Sequence, residues 1–234
     1  MLDYLQNPPL KMELMKGLMD TKVPNYFSLT PNIPSKIKQD KQNLNNVFRM
    51  KNIRPFSFSF ENFYCLLMSL LREFKVAIVL SSHKMLYQAS LSFESGAFIP
   101  LIPDFKSGKI CVQEAIKQGA DCFVIPFLNE DILTSNAELD EILADYFSVW
   151  DISYALALHL PLPKHANIYL ANGENIGLMR PFGVMAAKDH EFYGLSSIYL
   201  EIEKIYEVFL AAIKTQKMSA RDNSISFFEC LRDF

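Results

Sequence analysis

Four side chains that could take part in binding or catalysis follow short apolar runs of this sequence. They are His83 after the run at 76–80, Asn129 after 122–126, Asp151 after 146–150 and Glu174 after 168–171. An imidazole offers an aromatic face for stacking and a polar edge, and an ionised carboxylate attracts a cation or a protonated ring nitrogen. Together with Glu130 and Asp131, these carboxylates could also offer the oxygen ligands that Mg²⁺ or Ca²⁺ prefers. No Cys/His cluster has zinc spacing, and we predict no metal site.

Each of these residues also has a purely structural explanation. His83 could be an ordinary polar residue between a strand and a helix. Asp151 could be the N-cap of the segment that follows it, because Asp is a preferred N-cap residue. Glu174 could be a solvated turn residue or an ion-pair partner of Arg180. The sequence alone leaves these alternatives open.

The apolar runs predict the strands that position these residues. Six runs have the composition of buried parallel strands, at 76–80, 98–102, 122–126, 146–150, 168–171 and 182–186. Apolar residues at helical spacing occur between several of them, at 60–74, 83–93, 110–118 and 138–144. This alternation predicts an α/β fold of three layers, α/β/α, with a mainly parallel sheet. Ligands of such a sheet bind at the carboxyl ends of its strands, which is where the four residues lie.

The same patterns divide the chain into three parts. Residues 1–55 carry six prolines and many Asn and Lys, so we predict an extended N-terminal arm with a short helix at about 9–20. Residues 56–217 form the predicted α/β large domain, which ends in a helix at 194–216 with one apolar stripe. Residues 218–234 are predicted to form a C-terminal helical tail. The arm could wrap a partner subunit or pack on its own domain.

Composition narrows the classes of partner. The 234 residues have a net charge of −3 and 21% charged residues, which argues against a nucleic-acid-binding protein. No apolar run reaches the ~18–20 residues that span a bilayer, and the N-terminus lacks the features of a secretory signal. We therefore expect a cytoplasmic protein with neither nucleic acid nor membrane as partner.

The cysteines give little sign of chemistry. Cys65, Cys111, Cys122 and Cys230 form no CxxC pair, and all stand among apolar neighbours. This setting favours buried, reduced thiols over a disulfide or a catalytic nucleophile.

In order and spacing, the strand-end residues resemble those of the class V aminotransferases and cysteine desulfurases, which belong to fold type I of the pyridoxal-phosphate enzymes. The resemblance covers about residues 55–215 and implies the large domain of that fold. It implies that His83 stacks on the cofactor ring, and that Asp151 pairs with the pyridine nitrogen and keeps it protonated. The family also has an Asn in its third loop. Asn129 matches it after a one-residue shift, whereas Glu130 aligns with it directly.

Other positions depart from the family pattern. Glu174 stands where the family has its Schiff-base lysine, and Tyr154 replaces a Gln. The family cradles the cofactor phosphate in a Gly/Ala-Thr turn that opens a helix, whereas residues 57–61 here read Ser-Phe-Ser-Phe-Glu. We therefore expect a pseudoenzyme, with no catalytic residue and no cofactor. It would act as a binding or structural protein, form a homodimer and have room for a small-molecule ligand.

Two alternatives remain. The chain could be a working aminotransferase or cysteine desulfurase that binds pyridoxal phosphate non-covalently or borrows residues from a partner. It could also be an unrelated α/β domain with a nucleotide or sugar ligand. That alternative ranks last, because the GxGxxG and P-loop patterns are absent.

Overall fold

The computed structural model describes residues 35–56, 58–80, 83–129, 134–176, 183–188 and 209–213. The described helices are α1 (Ser35–Phe48), α2 (Phe60–Glu73), α3 (Lys84–Ser90), α4 (Gln113–Lys117), α5 (Leu139–Ile142) and α6 (Ser153–Ala157), with a 3₁₀ turn at Gly173–Ile176 and a further helical segment at 209–213. The described strands are β1 (Asn52–Pro55), β2 (Val76–Val79), β3 (Ile99–Leu101), β4 (Cys122–Pro126), β5 (Leu128–Asn129), β6 (Thr134–Ser135), β7 (Phe147–Asp151), β8 (Ile168–Asn172) and β9 (Gly183–Ala187).

Seven strands form one sheet in the order β1-β9-β8-β7-β4-β2-β3. β9 is antiparallel to both of its neighbours, and every other adjacent pair is parallel. β1 therefore runs in the same direction as β8, so six strands have their carboxyl ends at one edge, called here the carboxyl edge. Strands β5 and β6 pair separately as a short antiparallel hairpin. The predicted α/β fold with a mainly parallel sheet is confirmed, and each of the six predicted strands is present.

The sheet is covered on both faces. Side chains along β2 alternate between two apolar clusters, with Val76 and Ile78 in one and Ala77 and Val79 in the other. Helices α2 and α3 pack on the first face, while α1, α4, α5 and α6 pack on the second. Burial on both faces explains why the central strands read as continuous apolar runs, since neither face can be polar.

Helix α2 shows how the sequence builds the elements next to the carboxyl edge. Ser59 caps it by accepting a hydrogen bond from the Asn62 N–H at 3.4 Å, which satisfies one of the unpaired amides of the first turn. Leu66, Leu67 and Leu70 lie on the inner face and are fully buried, a transfer worth about 2 kcal/mol for each side chain. Among the described residues, no helix is both long and apolar enough to cross a membrane.

Residues 35–55, the last part of the predicted arm, contain regular structure. They form α1, which buries Leu44 and Phe48 in the core, and β1, which pairs with β9 along the edge of the sheet. Pro55 is tolerated in an edge strand, where its missing N–H breaks no ladder. The division of the chain into an arm, a large domain and a tail stays a prediction. The predicted helix at 9–20 and the tail at 218–234 lie outside the described residues. The predicted helix at 194–216 is described only at 209–213, which is helical.

Candidate ligand site at the carboxyl edge of the sheet

Each of the four predicted residues ends or follows a strand that runs toward the carboxyl edge. His83 follows β2, Asp151 ends β7, and Glu174 follows β8. β7 and β8 are neighbours, and β4 separates β7 from β2. Asn129 lies in the separate β5–β6 hairpin.

Asp151 is half-buried, and both of its described hydrogen bonds go to one carboxylate oxygen. Its Oδ1 accepts from the Ser153 N–H at 3.0 Å and from the Ser153 hydroxyl at 2.5 Å. Burial raises the pKa of Asp151 to about 6, although the bonds from Ser153 act in the opposite direction. No described residue donates to Oδ2. Asp151 therefore closes a turn onto the start of α6 and still presents one oxygen that could bind a ligand.

A chain of hydrogen bonds joins Asp151 to Glu174. The Ser153 hydroxyl that donates to Asp151 also accepts the Asn172 N–H at 2.8 Å. The Asn172 side chain then donates to Glu174 Oε2 at 3.3 Å, and its oxygen accepts the Glu174 N–H at 3.1 Å. Glu174 is thus a half-buried residue of the turn after β8, tied to Asn172. Its predicted ion-pair partner, Arg180, lies outside the described residues.

The lysines nearest to Glu174 in sequence lie at the opposite edge of the sheet. Lys164 precedes β8. Lys188 follows β9, which runs in the reverse direction, and the Lys188 N–H donates to Asn167 O at 2.9 Å just before β8 begins. Among the described lysines, Lys84 is the one next to His83, and its side chain is exposed as the first residue of α3.

His83 caps a helix, which fits the alternative that it is an ordinary polar residue between a strand and a helix. Its Nδ1 accepts the Met85 N–H at 3.2 Å and caps α3, so the neutral ring carries its proton on Nε2. The ring centre lies 5.0 Å from that of Phe58 and 5.4 Å from that of Phe63. His83 therefore belongs to an aromatic cluster beside the start of α2.

Asn129 also serves the fold. It is buried, its amide N–H donates to Gly108 O at 2.6 Å, and its oxygen accepts from the Asn136 side chain at 3.3 Å. These bonds attach the β5–β6 hairpin to the turn at 104–109. Sequence reasoning did not anticipate this anchor, because it depends on a contact between residues 21 positions apart.

A second polar cluster, which the sequence analysis missed, lies at the opposite edge. Asp140, Glu141 and His165 bring one ligand atom each to within 4.8 Å of one another. Both oxygens of Asp140, however, accept backbone N–H groups, from Lys164 at 2.6 Å and from His165 at 3.0 Å. The cluster thus holds the segment before β8 against α5.

The cysteines only partly follow the prediction of buried thiols. Cys122 is buried in β4, and burial raises the pKa of its thiol. Cys65 is half-buried, and Cys111 is exposed, so the prediction is wrong for Cys111. Cys111 lies in the loop before α4, and its side chain is exposed. Cys230 lies outside the described residues.

The fold matches that of the large domain of the fold type I pyridoxal-phosphate enzymes and is similar to that of NifS-like proteins. A NifS-like protein from Rickettsia africae ESF-5 superposes with a TM-score of 0.70 at 13% identity, over 100% of this chain and 75% of that one. Another NifS-like protein gives 0.71 at 11% identity, over 94% and 70%. The complex of SepCysS with the SepCysE N-terminal domain gives 0.64 at 12% identity, over 94% and 66%.

Because the sequence identities are low, these comparisons establish the fold alone. The chain spans about two thirds to three quarters of the length of the three matched structures. A scan against protein-family models and a search of the curated proteins found no match. Ligands of open α/β sheets bind at the carboxyl ends of the strands, and the residues at the carboxyl edge decide which ligand fits.

The described residues at the carboxyl edge do not fit covalently held pyridoxal phosphate. By the resemblance, Glu174 offers a carboxylate at the position where the aldehyde would need an amine. At the start of α2, where by the same resemblance the phosphate would need free N–H groups, Phe58 and Glu61 bring a ring and a negative charge. Asp151 offers a group that suits a protonated ring nitrogen.

Proposed function

We propose that this chain is a non-catalytic relative of the class V pyridoxal-phosphate transferases, which acts as a binding or structural protein and forms a homodimer. The observation that carries the proposal is Glu174, which follows β8 at the carboxyl edge. A carboxylate does not condense with an aldehyde, so a Schiff base has no amine at this position. The hydrogen bonds between Glu174 and Asn172 hold Glu174 in the turn after β8.

The positions of three of the described lysines support the same proposal. Lys164 and Lys188 lie at the opposite edge, so neither replaces the missing amine. Lys84 is exposed on the outside of α3. Its amine is therefore strongly hydrated, which disfavours its attack on an aldehyde.

The alternative of a working pyridoxal-phosphate enzyme rests on Asp151. Its Oδ2 has no described donor, and its position at the end of β7 suits a protonated pyridine nitrogen. In this alternative the cofactor would bind without a covalent link. A cytoplasmic location, and the absence of nucleic acid as a partner, stay predictions from composition.

Borohydride trapping tests the main proposal. Purified protein is incubated with pyridoxal phosphate, reduced with borohydride and digested, and each modified lysine is quantified by mass spectrometry. We expect scattered, substoichiometric labelling of the wild type. With pyridoxal, which has the aldehyde but no phosphate group, Glu174→Lys should gain labelling at position 174, whereas the matched exposed control Glu138→Lys should not gain comparable labelling at its own position.

Stoichiometric labelling of one wild-type lysine, together with a stable aldimine absorption band, would refute the proposal. An absorption change of bound cofactor that depends on added amine, and that is lost in Asp151→Ala, would support the enzyme alternative. Analytical ultracentrifugation tests the homodimer, and a monomer at all accessible concentrations would contradict it.

A further inference from the structure

The N-terminus of α2 is already satisfied by the protein's own groups. A helix N-terminus attracts anions because its first amides lack intrahelical acceptors and carry a partial positive charge. Here the Asn62 N–H donates to the Ser59 hydroxyl, and the Phe63 N–H donates to Ser59 O at 3.1 Å. The carboxylate of Glu61 accepts from its own backbone N–H and from the Ser59 hydroxyl, and these bonds lower the pKa of Glu61.

Few donors therefore remain for an external anion. Of the first three amides of α2, only that of Phe60 has no acceptor among the described residues. Glu61 adds a full negative charge at the same end of the helix. This charge would repel a phosphate that the helix dipole alone would attract.

The adjoining space is filled by an aromatic ring. The ring of Phe58 packs edge-on against Phe56 and Phe63, with centres 5.6 and 5.4 Å apart. It also touches the His83 ring and reaches to 3.4 Å from the point where a Cβ on Gly183 would lie. The ring therefore spans from the end of β2 to the start of β9, directly beside the first turn of α2.

We infer that Glu61 is a built-in substitute for a bound anion, and that the carboxyl edge accepts a small ligand without a phosphate group, neutral or cationic, that donates to Asp151. This inference rests on the ligand-binding form of the proposed function and names the ligand class of that site. It follows from two features that do not depend on Glu174, namely the occupied amides of α2 and the Phe58 ring.

The test uses two probes that differ only in a phosphate group. Pyridoxine and pyridoxine 5′-phosphate both lack an aldehyde, so neither labels lysines. Their affinities are measured by isothermal titration for the wild type, Glu61→Ala and Glu73→Ala. Glu73 lies at the other end of α2 and is exposed, so the control changes the net charge equally without touching the helix N-terminus.

We expect the wild type and Glu73→Ala to prefer pyridoxine. In Glu61→Ala the ratio of the two affinities should shift toward the phosphorylated probe by at least about tenfold, because one like charge at close range is removed. If Glu61→Ala loses its far-UV circular dichroism or its cooperative urea transition, Glu61→Gln replaces it, since it removes the charge and keeps the length of the side chain.

Three results overturn the inference: a wild type that prefers the phosphorylated probe, an unchanged ratio in the folded Glu61 variant, or no binding of either probe to any of the proteins. Failure of the proposed function would look different. It would appear as an aldimine in the borohydride experiment, whatever the ratio of the two pyridoxine affinities.

Discussion

Replacing Asp151 with Asn should stabilise the protein at neutral pH, and the gain should disappear in acid. Burial raises the pKa of Asp151 to about 6 from a usual value of 3.8. Each tenfold change in proton affinity corresponds to about 1.4 kcal/mol, so ionising Asp151 at pH 7 costs the fold up to about 3 kcal/mol. An Asn side chain keeps an oxygen for both hydrogen bonds from Ser153 and carries no charge.

The direction of this pH dependence follows from the protonation of Asp151 in the folded and the unfolded chain. Below about pH 3.8 Asp151 is protonated in both the folded and the unfolded chain, and the neutral Asn has no electrostatic advantage. Between pH 3.8 and 6 the unfolded chain ionises while the folded chain keeps its proton, so the wild type loses stability as the pH rises. Above pH 6 both states are ionised, and the advantage of Asp151→Asn stays constant.

Urea denaturation between pH 4 and 8 measures this difference, with the free energy of unfolding extrapolated to water for each protein. Asp104→Asn is the matched control. Hydrogen bonds from Ser107 lower the pKa of Asp104, so the stability lost in that variant should develop as the pH rises to about 3.8 and should stay nearly constant across most of the range from pH 4 to 8. A difference between Asp151→Asn and the wild type that is constant from pH 4 to 8, or that falls with rising pH, would refute the reasoning.

Two further predictions concern packing and accessibility. A Cβ on Gly183 would lie 2.4 Å from Phe56 O, so Gly183→Ala should lower the free energy of unfolding in urea by about 2–4 kcal/mol. The control Gly96→Ala, at a φ of +90° with no neighbour within 4 Å, should cost only about 1 kcal/mol. Equal costs would contradict the argument that Gly183 is crowded. Maleimide labelling of the native protein, followed by peptide mass spectrometry, should modify the exposed Cys111 quickly and the buried Cys122 only after denaturation; comparable rates would show that β4 opens readily.

The sequence predicted the central strands well because burial on both faces of the sheet restricts these strands to apolar residues. β2, β4 and residues 168–171 of β8 are buried on both faces, so they form apolar runs that are easily recognised. β1 has one exposed edge and the sequence Asn-Ile-Arg-Pro, in which Ile53 is buried. Its pairing with β9 is a long-range interaction that local composition does not encode.

The candidate site was predictable in position but not in contacts. Strand ends place His83, Asp151 and Glu174 at one edge whatever their neighbours are. The bond between Ser153 and Asn172 depends on β7 lying beside β8, which the sequence does not state. The sequence does not mark Glu61 as more than a part of the altered turn at 57–61, because a capping box would place the acidic residue one position later, at Asn62.

The charge at Asp151 helps to separate a binding role from a purely structural one. A scaffold gains nothing from a half-buried carboxylate that costs stability at neutral pH, because Asn would make the same hydrogen bonds to Ser153. A ligand that donates to Oδ2 would offset that cost when it binds, and such destabilising groups concentrate at functional sites for this reason. If Asp151→Asn is more stable than the wild type and also loses pyridoxine binding, the carboxyl edge is a ligand site. If it is more stable and binds pyridoxine equally well, Asp151 makes no contact with that ligand, and the structural role is favoured.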